Sequence, residues 1–169
     1  IYTLSLHDAL PICVSALFSA VLVTLAMIDW DTKLLPDSIT LPFVWTGILA
    51  SMLGYTQVSL TNSVMGAVIG YMSLWSIYWI FKLLTGKEGM GFGDFKLLAA
   101  LGAWFGWAGL VPVILISSVV GAVIGLFLKI NNRLGESAQI PFGPFLALGG
   151  LAAMLFSPAT LLRAFGLGV

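Results

Sequence analysis

Residues 13–28 read CVSALFSAVLVTLAMI, and residues 29–38, DWDTKLLPDS, follow without a break. The first run carries no charge and is apolar on every face of a helix, so it belongs in lipid or in a protein core. It is shorter than the roughly 20 residues that cross a hydrocarbon layer, and is read as lacking its beginning. The second run opens with a carboxylate, and Asp29, Asp31, Lys33 and Asp37 crowd into its ten residues. A membrane helix that stops at a charged edge is the expected structure.

The rest of the chain repeats this alternation. Five further apolar segments run over 39–53, 63–84, 95–105, 107–130 and 142–156. The fourth of the six, 95–105, is short, and is expected to tilt or to be backed by protein. Of the 169 residues, 60% are hydrophobic and 8% charged, and the mean hydropathy is +1.08. A soluble domain carries about 25% charge, so a soluble enzyme and a disordered tail are excluded. Seven basic against seven acidic residues leave no net charge to attract nucleic acid. The expected class is all-α, a polytopic helical membrane protein with about six transmembrane helices in a lipid bilayer.

Charge placement orients it. If every segment crosses, one side receives the connections 29–38, 85–94 and 131–141. Lys33, Lys82, Lys87, Lys96, Lys129 and Arg133 lie in or beside these, and only Arg163 lies with the other side. That bias makes the first side cytoplasmic. Asp29, Asp31, Asp37, Glu88, Asp94 and Glu136 fall near the same edge. Within the segments, GAVIG occurs at 66–70 and again at 121–125, a glycine spacing that lets helix backbones approach in lipid. Trp30, Trp45, Trp75, Trp79, Trp104 and Trp107 are read as interface or core aromatics.

The chain opens at Ile1 without an initiator Met, and is read as a fragment or a processed product. Residues 1–12 resemble translated sequencing adapter and are expected to be non-native, which leaves His7 and Asp8 without a role. The working division is 1–12 as this leader and 13–169 as the membrane-embedded core. Cys13 is the only cysteine, so no intrachain disulfide or cysteine-only metal site is available. It is expected to be a small core residue.

Two stretches hold the residues that can do chemistry: 28–37, and 89–96, which reads GMGFGDFK. Asp29 closes an apolar helix, an expensive position for an anion, and a helix C-terminus adds negative potential there. It either works as a catalytic carboxyl or marks the membrane edge and points to water. Asp94 follows Gly91 and Gly93, where a substrate backbone could come close; equally, it could simply cap the next helix. Asp37, after Pro36, is read mainly as a cap. Asp29 and Asp94 are 65 residues apart in the sequence, but two helices return the chain to the same face. Two carboxyls sharing a proton can activate water for peptide attack. A serine or cysteine triad lacks its histidine. An all-carboxylate site for an ion such as Mg²⁺ is a weaker reading.

IDWDTKLLPDSITLP and KLLTGKEGMGFGDFKLLAALGAW together resemble the type IV prepilin leader peptidases, bacterial inner-membrane aspartyl proteases of the GxGD kind. The resemblance extends from about Cys13 to the C-terminus and includes the Pro141-Phe-Gly-Pro144 turn. It implies that Asp29 and Asp94 are the catalytic pair. Asp31, Pro36, Asp37, Gly91, Gly93 and Lys96 are then motif or substrate-binding positions; within a turn of Asp94, Lys96 either tunes that carboxyl or simply faces the phospholipids. It also implies cleavage of basic leader peptides from prepilins and pseudopilins, after a glycine, at the cytoplasmic face. Peptide cleavage needs no cofactor and no metal. Many members also methylate the new amine with S-adenosylmethionine. Full-length members have a further membrane segment and a domain with two CxxC pairs suited to zinc. Neither lies in these residues, so methyl transfer is not expected of this portion. An ion-coupled transporter, or a non-catalytic membrane subunit, is the alternative. The particular prepilin and the oligomeric state stay open.

Overall fold

In the computed structural model, residues 6–86, 89–131 and 141–167 are described, with side chains from Leu10 onward. Residues 1–5 of the supposed leader, and Lys87, Glu88, Arg133 and Glu136 of the charge count, lie outside them. The described chain forms α1 (Leu6–Thr32), α2 (Asp37–Met52), α3 (Leu60–Thr85), α4 (Phe92–Ile130), α5 (Gly143–Phe156) and α6 (Pro158–Ala164).

The α4 helix is broken at Gly106, whose backbone (φ 72°, ψ 173°) is not helical. This conformation is essentially confined to glycine. Packing shows that the chain doubles back there. Ser63 Oγ donates to the Ala103 carbonyl at 2.6 Å, Gly66 abuts Gly102, and Gly70 abuts Leu98. So α3 runs antiparallel to the first limb of α4, residues 92–105. In the second limb, 107–130, Gly109 lies by Pro158, Gly149 by Val113, and Gly121 by the Phe145 ring. That limb is antiparallel to α5. In turn α1 lies antiparallel to α5, through Ser19 on Met154, Leu22 beside Gly150, and Asp29 on Gly143. The sequence reading divided the segments at this same glycine.

The first limb is the centre of the bundle. Asp94, Phe95, and 97 through 104 are all buried, so protein rather than lipid backs this short segment. Apolar burial drives little helix association in lipid, where close packing and interhelical hydrogen bonds matter more. Both are present. At the 66–70 GAVIG, glycine backbones meet α4 directly, whereas Gly121 meets only a ring, so the two copies do different work. Trp104 is buried and its indole donates to the Phe43 carbonyl at 3.1 Å. Trp30, Trp45, Trp75, Trp79 and Trp107 are exposed on the outer surface. Cys13 is also exposed rather than in the core.

Three helices, α1 (from Leu10), α3 and α4, are long and apolar enough to cross a membrane, or up to four if the bent pair α5–α6 counts as one. That count takes α4 as one helix although it doubles back at Gly106, and it leaves the six segments read from sequence unconfirmed. The 16 residues of α2 fall short of a full crossing alone, and α5 and α6 meet at 100°.

Candidate active site

Asp29 lies one turn inside the end of α1, not at its last residue. The helix stops four residues later at Lys33, whose backbone turns left-handed (φ 56°) while its amide still donates to the Asp29 carbonyl at 2.8 Å. A left-handed non-glycine residue is strained, and such residues gather at functional sites. The turn carries Leu35 back onto α4, where it packs against Gly93; a Cβ on Gly93 would lie 2.6 Å from the Leu35 Cβ.

Neither flanking helix is capped as the sequence suggested. Pro36, not Asp37, occupies the N-cap of α2, and Asp37 sits in the first turn. Gly91, not Asp94, is the N-cap of α4. Asp94 stands three residues further on, and its carboxylate reaches back to the Gly91 amide, the geometry of a capping box. Asp94 is therefore both a cap ligand and a wall of the cavity.

Asp29 and Asp94 are 4% and 6% exposed. This rules out the reading in which Asp29 points freely into water. Both line one cavity of about 430 Å³, open at the charged end of the bundle, with Lys33, Leu35, Gly91, Phe92 and Phe142 among its other walls. They are close enough to interact electrostatically. No cation is paired with either among the described residues. Two buried carboxylates without a counter-cation repel, and are most comfortable holding one proton between them.

Each carboxyl is met by a helix N-terminus, a source of partial positive charge. For Asp94 it is its own helix. For Asp29 it is α5, whose Gly143 amide donates to Oδ2 at 3.0 Å. The unfavourable end of α1 is thus offset by the favourable end of a helix 114 residues away in the chain. Sequence reasoning noted Pro141-Phe-Gly-Pro144 only as a turn. Its signal was position: it falls on the aspartate side.

The remaining site residues divide. Gly91 is extended (φ −80°, ψ 148°), and a Cβ there would meet nothing closer than Asp94 Oδ2 at 3.9 Å, so its face is open to the cavity. Gly93 faces Leu35 instead, which leaves no room for a substrate strand on that side. Lys96 does not reach Asp94; its ammonium pairs with Asp37. Asp31 is exposed. Although Asp29, Asp37 and Asp94 share the cavity, no three metal-type ligands converge among the described residues. Nor do the residues suit the zinc site of CxxC pairs, since Cys13 stands alone.

The model of one family, the type IV leader peptidase family, matches residues 16–126. Three curated relatives carry the printed name prepilin leader peptidase/N-methyltransferase. The Aeromonas hydrophila protein is 56% identical over 140 residues, covering 83% of this chain and 48% of the relative. The Stutzerimonas stutzeri protein is 53% identical over 135 residues, 80% of this chain and 46% of the relative. The Pseudomonas aeruginosa protein is 50% identical over the same length and shares. The chain thus spans about half the length of these relatives. No solved structure matches it.

Proposed function

Because this chain belongs to the type IV leader peptidase family, we propose that it is a membrane aspartyl endopeptidase that removes the basic leader peptide of type IV prepilins or pseudopilins. One observation carries the mechanism: Asp29 and Asp94, buried and with no cation partner among the described residues, line a single cavity at the charged end of the bundle.

Water bound between the carboxyls loses a proton to the ionised one as its oxygen bonds to the scissile carbonyl carbon. The protonated carboxyl gives its proton to the carbonyl oxygen, forming a neutral gem-diol. The diol then collapses: one hydroxyl proton returns to a carboxylate, the C–N bond breaks, and the other carboxyl protonates the leaving nitrogen. The pair ends as it began, with one proton, and titrates as a unit. The open face of Gly91 gives the substrate backbone an approach beside Asp94.

Lys33 and Lys96 at the cavity end support a cytoplasmic orientation, and the relatives support placement in a bacterial inner membrane. The reading assigns no cofactor; S-adenosylmethionine would serve only methyl transfer, which it does not include. A transporter is less well supported, because both carboxyls stand at one end of the bundle.

The test is cleavage of a model prepilin, with a basic leader ending in glycine, by the chain in proteoliposomes. Asp29→Asn and Asp94→Asn are each expected to lower kcat by about 10²–10⁴-fold or more while still inserting. Cleavage retained by either variant would refute the paired mechanism.

A further inference from the structure

We propose that Gly143 is the positioning residue for Asp29: its amide holds Oδ2, and its missing side chain is the space the carboxyl occupies. The inference deepens the aspartyl peptidase reading and rests on it. Gly143 lies beyond the segment that the family model matches, 16–126.

The amides of the first turn of α5, residues 143–146, can each be assigned. The Phe145 and Leu146 amides both donate to the Phe142 carbonyl, each at 3.1 Å. Pro144 has no amide proton. The one remaining donor among residues 143–146 is Gly143 N–H, and it goes to Asp29 Oδ2 at 3.0 Å. Helix starts leave amides without intrahelical acceptors, and here proline reduces those to a single bond aimed at a single oxygen.

Space makes the same assignment. A Cβ at position 143 would fall 2.5 Å from Asp29 Oδ2 and 3.0 Å from its Cγ. Any side chain would displace the carboxyl from the amide. The clash is with the carboxyl itself, and not with a neutral packing partner. The other buried glycines of α5 differ in this respect: Gly150 would meet Leu101 and Leu22, side chains remote from the cavity.

The bond fixes the rotation of the Asp29 carboxyl. With Oδ2 engaged on α5, Oδ1 has no hydrogen bond among the described residues. It is left for the water and for the proton shared with Asp94. Ser19 on Met154 sets the register of α1 on α5 that brings the two groups together.

The experiment is steady-state cleavage of the model prepilin by three variants in proteoliposomes, beside wild type and Asp29→Asn. In the first, the peptide bond between 142 and 143 is replaced by an ester, which deletes the donor and adds no bulk. The second is Gly143→Ala, and the third, Gly150→Ala, controls for strain in α5. The expected result is a fall in kcat of about tenfold for the ester and about a hundredfold for Gly143→Ala. KM should be unchanged in both, and Gly150→Ala should stay within about threefold of wild type by contrast with these losses. An ester variant with wild-type kcat would overturn the proposal, even if Gly143→Ala failed to fold. So would parallel losses in both alanine variants that track thermal stability alone. An inactive wild type, or an active Asp29→Asn, would instead strike the peptidase reading itself.

Discussion

Gly102→Ala tests how closely α3 and the centre of the bundle touch. A Cβ on Gly102 would sit 2.1 Å from the Gly66 carbonyl oxygen, and one on Gly66 would sit 2.2 Å from that of Gly102. Ordinary contact begins at 3.4 Å, and a helical carbonyl cannot rotate aside. The helices must therefore part by roughly 1 Å, in an interior that tolerates little displacement. Overpacking costs about 1–3 kcal/mol, and a rigid backbone obstacle places this case at the upper end. Alanine regains about 1 kcal/mol of helix propensity. Weakening the neighbouring Ser63–Ala103 bond loses about as much, so the expected net loss is about 3 kcal/mol. The assay is reversible unfolding in mixed micelles, with exposed Val123→Ala as the neutral control. Because one separation accommodates both methyls, Gly66→Ala/Gly102→Ala should cost at least about 1 kcal/mol less than the sum of the singles. A single variant within about 0.5 kcal/mol of wild type, or strict additivity, would refute the contact.

Four further outcomes can be stated. Gly91→Ala should fold as wild type but lose about tenfold in cleavage efficiency, because one methyl enters the cavity beside Asp94. Gly93→Ala should instead lose about 1–3 kcal/mol of stability, restored in part by Leu35→Ala; thermal melts beside kinetics separate the two glycines. Asp37→Asn should change stability by less than about 1 kcal/mol, since Asp37 is 58% exposed in its pair with Lys96 and such pairs are weak; high salt should erase the difference. Gly106→Ala should cost about 1–3 kcal/mol in the same unfolding assay, because alanine is strained at this backbone conformation.

The helices were legible because lipid demands long apolar runs, and those stand out in composition. The turn at Gly106 was legible as a glycine dividing two such runs. The carboxyl pair was legible because charge placement put both acids on one face. Their burial was not, since Asp29 is covered by α5, which lies more than a hundred residues further along the chain. Lys96 was misread for a related reason. Its spacing from Asp94 within α4 suggested a partner, but α2 runs alongside and presents Asp37. Caps shifted by one to three residues because Pro36 and Gly91, with no side chain to cap with, still take the extended conformation that starts a helix.

Leu22, Leu25, Leu97, Leu98 and Leu101 are fully buried between the charged cavity and an aromatic cluster at the far end, where Phe18 contacts Phe43, Trp104 and Phe105. The polar groups that flank this layer, Thr40, Ser63 and Ser117, spend their hydroxyls on backbone carbonyls. Among the described residues, these hydroxyls form no chain of exchangeable protons leading downward from the carboxyl pair. A hydrolase seated in an energised membrane has to admit water on one side and stay insulating through the rest of its thickness. On the proposed peptidase reading, this layer would do the insulating and let the protein wet its reaction centre without short-circuiting a proton gradient.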